Sequence, residues 1–142
     1  MNKLLLLADD DHDDAELFGE ALGRASLQVD LHYAEDAHAL FKILDGLNNR
    51  KPDIIFLDIN MPKIDGWECL AMLKKHAVHC HIPVVMFSTS SATRDKQMAV
   101  ESGAIGLLTK PSDFKMLIKI LTHIVNSEPA DLKKTIAEIA SF

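Results

Sequence analysis

The feature that most constrains the fold is a short apolar run, Ile54–Leu57, that ends in a single carboxylate, Asp58. A run that is apolar at every position is typical of a central strand in a parallel sheet, because helices cover both faces of such a sheet. Pro52 before the run and Pro62 after it favour strand and loop over helix. The pattern predicts a buried strand with Asp58 at its carboxyl end, where reactive groups gather in open α/β sheets.

Other segments of the chain repeat this strand-like pattern, with apolar residues at helical spacing after each of them. The further runs lie at 4–8, 28–34, 82–87 and 105–109. The run at 28–34 alternates weakly, as an edge strand does, whereas the others are nearly continuous. Five strands that alternate with five helices predict an α/β fold, a doubly wound parallel sheet with right-handed crossovers.

Capping residues and apolar spacing refine the predicted helices. Asp65 with Glu68 three residues later resembles a capping box, and Ser112 is a candidate cap for the helix that follows it. The segment 93–102 has few apolar residues, so we expect a loosely held helix there. The segment 129–142 predicts one additional short amphipathic helix, expected to pack on its own domain.

Length, charge and cysteine content limit the classes of function. The 142 residues fit one domain, and 15 Lys and Arg against 21 Asp and Glu give a formal charge of −6. Without a basic cluster, direct binding to nucleic acid is not expected. We also expect no membrane insertion and a cytoplasmic location, because no apolar stretch has the length of a membrane span and Cys69 and Cys80 form no disulfide framework.

Polar side chains follow the inner strands and should meet at one edge of the sheet. They are Asp9, Asp10, Asp58, Ser88 and Lys110. Crowded carboxylates repel one another unless a cation compensates them, and Mg²⁺ prefers such oxygen ligands. Lys110 supplies a second positive charge, able to pair with Asp58 at rest and with a phosphate later. Asp58 is then the candidate nucleophile and the group as a whole a candidate phosphoryl site.

Four segments of the chain closely resemble the receiver domain of two-component response regulators. They are Leu-Leu-Leu-Ala-Asp-Asp-Asp at 5–11, Phe-Leu-Asp-Ile-Asn-Met-Pro-Lys-Ile-Asp-Gly at 56–66, Pro-Val-Val-Met-Phe-Ser at 83–88 and Thr-Lys-Pro at 109–111. The resemblance covers about residues 3–127 and implies a flavodoxin-like sheet with strand order 2-1-3-4-5. It extends, more weakly, to single-domain receivers of the chemotaxis or phytochrome-associated type.

The resemblance also implies roles for individual residues. Asp58 would be the phosphate acceptor, and Asp10 and Asp58, with the backbone carbonyl of Asn60, would bind Mg²⁺. Asp9 would act through a coordinated water. Lys110 matches the invariant lysine of the family.

Two further expectations concern the switch that such proteins undergo. Ser88 matches the switch hydroxyl, but Leu107 stands where many receivers have an aromatic residue. We therefore expect signalling to depend on the loop after Phe87 and on the helix near 93–102. The resemblance also implies a cis peptide bond between Lys110 and Pro111.

The resemblance implies phosphotransfer without turnover of an external substrate. We expect a receiver at 1–128, a C-terminal helix at 129–142 and no output domain, so that another protein reads the signal. The phosphoryl donor would be a histidine kinase or a histidine phosphotransfer protein. A homodimer formed through the C-terminal helix is the alternative to packing of that helix on its own domain.

Two other functions use similar elements. A haloacid-dehalogenase-like phosphatase also forms an aspartyl phosphate with Mg²⁺, and its Asp-x-Asp-x-Thr/Val motif matches Asp9 and Asp11 but fails at Asp13. A flavodoxin-like nucleotide carrier needs small residues and free N–H groups in its first loop, where this chain has carboxylates.

Two acidic or histidine-rich stretches have ordinary structural interpretations. Asp11, Asp13 and Asp14 are expected only to cap a helix. The stretch 76–81, with His76, His79, Cys80 and His81, is interpreted as a solvated loop and not as a metal site.

Overall fold

Five parallel strands form the central sheet of the computed structural model, which describes residues 2–25 and 28–140. The strands are β1 (Lys3–Ala8), β2 (Val29–Ala34), β3 (Ile54–Leu57), β4 (Val84–Ser88) and β5 (Gly106–Thr109). Their spatial order is β2-β1-β3-β4-β5, with every neighbouring pair parallel. The predicted doubly wound α/β sheet and its strand order are confirmed.

Helices cover both faces of this sheet and build two separate cores. They are α1 (His12–Arg24), α2 (Ala37–Gly46), α3 (Gly66–Lys75), α4 (Thr93–Glu101), α5 (Phe114–Asn126) and α6 (Leu132–Ala140), the last preceded by a 3₁₀ turn at Pro129–Asp131. One core packs α2, α3 and α4 against the sheet, and the other packs α1, α5 and α6. None of the helices in the described residues is long and apolar enough to cross a membrane.

The alternation of β1 between the two cores explains why this strand is apolar throughout. Leu4, Leu6 and Ala8 lie in the first core, whereas Leu5 and Leu7 lie in the second. Every residue of β3 is likewise buried. The prediction that uninterrupted apolar runs mark strands covered on both faces is confirmed.

Several predicted boundaries and caps differ from the structure by one or two residues. β4 begins at Val84 and not at residue 82 as predicted. Ile82 still belongs to the preceding turn, because the Ile82 N–H donates to the His79 carbonyl. The cap of α5 is Asp113, not Ser112, because the Asp113 carboxylate accepts the N–H of Lys115. Asp65 caps α3 as predicted.

The prediction of a cis peptide bond between Lys110 and Pro111 is wrong. The described residues contain no cis peptide bond. The trans isomer of an X–Pro bond is intrinsically favoured by about 0.5–1 kcal/mol.

The C-terminal helix packs on its own domain. Leu132, Ile136 and Ile139 are buried in the core that also holds α1 and α5. A methyl group added at Gly106 of β5 would lie 2.8 Å from Ile136 Cγ2, so helix and strand approach closely there. Residues 141 and 142 of the predicted helix lie outside the described residues, and the boundary at residue 128 remains a prediction.

Gly66, the first residue of α3, allows the loop that carries Asp58 to pack against the helix. A Cβ at this position would overlap the Asp58 carbonyl oxygen and lie 2.7 Å from Ile59 Cα. We expect Gly66→Ala to lower the free energy of unfolding by about 3 kcal/mol, as overpacking against immovable backbone does. Denaturant titration measures the change.

Gly46, at the end of α2, is the matched control because a Cβ there meets no atom within 4 Å. Gly46→Ala should leave the stability unchanged or raise it by up to about 1 kcal/mol. Equal stability of Gly66→Ala and the parent would contradict the steric interpretation.

Candidate functional site

Three carboxylates converge at the carboxyl edge of the sheet. Asp9 and Asp10 follow β1, Asp58 follows β3, and one oxygen of each lies within 4.8 Å of the others. The pairing of Ala8 with Leu57 sets this geometry, since the next residue on each parallel strand is then an aspartate. Asp9 and Asp58 are buried, whereas Asp10 is exposed.

Hydrogen bonds fix the backbone that carries these carboxylates. The Asp58 N–H donates to the Ala8 carbonyl at 2.9 Å, and Asp58 Oδ1 accepts the N–H of Ile59 at 2.8 Å. Asp9 Oδ1 accepts the N–H of Asp11 at 2.9 Å. One oxygen of each buried carboxylate is therefore oriented by the loop that follows its strand.

Tyr33 of β2 is a supporting residue that sequence reasoning missed. Its hydroxyl donates to the Asp9 carbonyl at 2.7 Å and thereby holds the β1–α1 loop against the neighbouring strand. The signal in the sequence was a tyrosine at the second-last position of a predicted edge strand. The structure adds the register, in which Tyr33 pairs with Leu7 of β1.

Lys110 brings the positive charge of the site from the end of β5. Its Nζ lies 2.7 Å from Asp9 Oδ2, 2.8 Å from Asp14 Oδ2 and 3.6 Å from Asp58 Oδ2. Burial opposes the ammonium, but its hydrogen bonds to Asp14 and Asp9 outweigh burial, and the pKa of Lys110 is raised. Lys110 is therefore held as a cation among three carboxylates.

The contact with Asp14 corrects the expectation that this residue only caps a helix. The side-chain cap of α1 is Asp11, which accepts the N–H groups of Asp13 and Asp14. Asp14 lies in the first turn of α1, close enough to the strand ends for its carboxylate to reach the ammonium. A capping pattern alone does not show which side chain of the first turn faces the sheet edge.

Burial has a large effect on the ionisation of Asp58. It raises the pKa of the carboxyl to about 6; the Lys110 ammonium opposes the shift, and the Asp9 carboxylate adds to it. A carboxyl group with a raised pKa among charged partners is typical of functional sites.

Ser88 ends β4, and Leu107 lies in the neighbouring strand β5, which leads to Lys110. Ser88 is buried at the end of β4; its hydroxyl accepts the N–H of Ser90 at 3.3 Å, and its carbonyl accepts the N–H of Lys110 at 2.7 Å. Leu107 is buried in the core shared with α4. Thr109 Oγ1 donates to the Ser90 carbonyl at 2.9 Å, which ties the β4–α4 loop to β5.

Helix α4 itself is held weakly. Ala99 is the one buried residue of the helix, and its N-cap residue, Ala92, has no side-chain oxygen to accept the first N–H groups. The prediction of a loosely held helix is supported by this packing.

The donor set of the site suits a hard divalent cation. Asp9, Asp10 and Asp58 present carboxylate oxygens, the ligand type that Mg²⁺ and Mn²⁺ prefer, and Lys110 alone does not balance their charge. Asn60, a further candidate, lies exposed in the loop two residues after Asp58. The residues present therefore fit the metal that the resemblance implies.

The histidine-rich stretch is only partly the solvated loop that we expected. His79 is buried, stacks on His76 with ring centroids 3.9 Å apart, and has no hydrogen-bond partner for Nε2 among the described residues. Burial, followed by the neighbouring His76, lowers the pKa of His79. His81 is exposed, as predicted.

Comparison with known proteins agrees with this geometry. Residues 5–122 match the model of the response regulator receiver domain family. The response regulator Rcp1 of Synechocystis sp. is 32% identical over 126 residues, which cover 86% of each chain. The sensory transduction protein BceR of Halalkalibacterium halodurans is 27% identical over 138 residues, and there the match spans 55% of the longer relative.

Solved structures agree with the sequence comparison. The Mn²⁺-bound form of Rcp1 superposes with a TM-score of 0.77 at 30% identity, covering 89% of this chain and 96% of that one. The phosphorylated cyanobacterial phytochrome response regulator RcpA gives a TM-score of 0.76 at 29% identity, covering 86% and 90%. With its parallel sheet and its acidic pocket at the strand ends, the chain belongs to the response regulator receiver domain family, the signalling modules of two-component systems.

Proposed function

We propose that the protein accepts a phosphoryl group on Asp58 from a phosphohistidine of a histidine kinase or a histidine phosphotransfer protein. The supporting observation is the buried Asp58 carboxylate, which has an oxygen within 4.8 Å of the Asp9 and Asp10 carboxylates and lies 3.6 Å from the Lys110 ammonium. A downstream protein would read the phosphorylated state. We also propose a cytoplasmic location, consistent with the free thiols of Cys69 and Cys80.

The proposed transfer is an in-line displacement at phosphorus. An oxygen of Asp58 forms a new O–P bond while the P–N bond to the donor histidine breaks, and the electron pair of that bond stays on the imidazole. The N–H of Ile59 holds Asp58 Oδ1 and so orients the carboxylate. The product is a mixed anhydride, which water can hydrolyse to inorganic phosphate, restoring the Asp58 carboxylate.

Charge neutralisation is the main demand of this step. Asp10, Asp58 and the backbone carbonyl of Asn60 would hold Mg²⁺, with Asp9 acting through a coordinated water, and the charge of the metal would offset that of the phosphoryl oxygens. Lys110 supplies the second positive charge, since its ammonium lies 3.6 Å from Asp58 Oδ2 and can contact a phosphoryl oxygen. The Ser88 hydroxyl is the proposed third contact.

We propose that the switch runs through the segment from Ser88 to Lys110. The Ser88 hydroxyl accepts the N–H of Ser90, so a shift that lets it donate its own O–H to a phosphoryl oxygen would pull on Ser90, which is tied to β5 through Thr109. The weakly packed α4 follows directly. Leu107 occupies the position where many receivers have an aromatic switch residue. It is apolar and packs in the same core as Ala99 of α4.

Phosphorylation itself is the first test. With Mg²⁺ and acetyl phosphate, the protein should gain the mass of one phosphoryl group, which alkali removes because the product is an acyl phosphate. Asp58→Asn should gain none, and Asp10→Ala should need at least about tenfold more Mg²⁺ because it loses a carboxylate ligand. Intact-mass spectrometry measures each outcome.

The matched control is Asp45→Asn, a change at an exposed aspartate of α2, which should be phosphorylated like the parent. A label retained in Asp58→Asn, or formed equally in the presence of a chelator of divalent metals, would refute the proposed acceptor or its metal dependence.

A second prediction concerns the switch. Beryllium fluoride with Mg²⁺ should change amide hydrogen exchange mainly in residues 88–110, and Ser88→Ala should reduce that change severalfold because the hydroxyl contact is lost. Ser91→Ala, at an exposed serine of the same loop, is the control. Exchange that stays unchanged in 88–110 of the parent would rule out this path.

A third prediction follows from the raised pKa of Asp58. Burial raises the pKa of Asp58 to about 6, so keeping this carboxyl charged at neutral pH costs folding free energy. Without metal, Asp58→Asn should therefore raise the free energy of unfolding by about 1–3 kcal/mol at neutral pH. The gain should fade as the pH falls toward the unfolded-state value of about 4, because the parent carboxyl is then protonated. Denaturant titrations at both pH values, with Asp131→Asn at an exposed aspartate as control, measure the difference; a gain independent of pH would contradict it.

A further inference from the structure

The resting position of Lys110 is set in part by a carboxylate outside the acidic cluster, Asp14. Its two hydrogen bonds go to Asp9 and Asp14, at 2.7 and 2.8 Å, whereas Asp58 is farther away at 3.6 Å. Asp9 belongs to the group that fits a metal ion, but Asp14 does not. The contribution of Asp14 can therefore be separated experimentally from metal binding.

Asp14 differs from Asp9 in its access to water. The Asp14 side chain is 37% exposed, against 2% for Asp9, and it lies in the first turn of α1. Bulk water can solvate the Asp14 carboxylate when the ammonium moves away, whereas it hardly reaches the buried Asp9 carboxylate. Asp14 is therefore the partner that Lys110 can release at the lower cost.

A phosphoryl group on Asp58 must compete for this same ammonium. Lys110 has to shift toward the new dianion, and the Asp14 hydrogen bond has to lengthen or break. The Asp14 carboxylate also repels the phosphoryl charge across the site, which is too buried for full screening. Both effects act in the same direction, against the phosphorylated state.

We propose that Asp14 is a positioning residue that competes with the phosphoryl group for Lys110 and so limits how tightly the phosphorylated state is held. The inference rests on the proposed function of Asp58. It assigns to the first turn of α1 a part in setting the balance between the resting and the phosphorylated forms.

Beryllium fluoride with saturating Mg²⁺ is the probe, because its adduct on a carboxylate has the shape and charge of a phosphoryl group. Asp14→Asn keeps the size of the side chain and removes its charge. We expect this variant to bind beryllium fluoride about three- to tenfold more tightly than the parent, the range for losing one partly exposed ionic competitor. Titration followed by Trp67 fluorescence or by calorimetry gives the dissociation constant.

Three controls separate positioning from general effects of charge and folding. Asp13→Asn removes the same charge one residue away, at an exposed position that makes no ion pair with Lys110 in the described residues, and should change the affinity by less than twofold. Asp14→Glu keeps the negative charge and should bind beryllium fluoride with nearly the parent affinity. A second neutral variant, Asp14→Ser, should repeat the gain if Asp14→Asn folds poorly.

The combination with Lys110→Ala tests the route of the effect. In that background the ammonium is absent, so Asp14→Asn should lose most of its effect on affinity. A gain of equal size with and without Lys110 would overturn the proposal, because the effect would then not run through the lysine. Unchanged or weaker binding by both neutral variants would overturn it as well.

The proposed function fails in a different way. If the parent does not bind beryllium fluoride in the presence of Mg²⁺, the phosphoryl site and the inference built on it are both refuted. If the parent binds and Asp14→Asn matches it within twofold, the inference alone is refuted.

Discussion

The close approach of like charges at one edge of the sheet is the constraint on which the rest of the structure depends. β1 and β3 are adjacent and parallel, and each ends directly before an aspartate, so Asp9 and Asp58 are forced together where little water reaches them. Repulsion of this kind is tolerable only with compensating cations. One of these is Lys110, and the donor set has room for a divalent metal as the other.

Strand order explains why the compensating lysine comes from so far along the chain. β4 separates β3 from β5, so the ammonium of Lys110 has to reach past the end of β4, where the small side chain of Ser88 lies. The Ser88 hydroxyl, the Lys110 ammonium and the start of the weakly packed α4 therefore follow the carboxyl ends of the neighbouring strands β4 and β5. Under the proposed function, a phosphoryl group on Asp58 would act through Ser88 and Lys110 on α4, a helix whose buried residue is Ala99.

The sequence was sufficient for the sheet because continuous apolar runs have one simple explanation, burial on both faces, and because their polar successors must meet at one edge. It was insufficient where several side chains compete for one role. Ser112 and Asp113 can both cap α5, and the choice depends on where the helix begins. Asp14 and Asp11 are equally suited to a helix start, and only the position of α1 over the strand ends separates them.

The packing of α6 has a consequence for how the chain can be divided. The family match ends at residue 122, yet Ile136 lies against Gly106, four residues before Lys110, and shares a core with α1 and α5. Cutting the chain after α5 would expose the apolar side of β5 that α6 covers, which favours self-association. A shortened version, or a fusion that replaces α6, would thus report on an altered β5 edge and not on the native sheet.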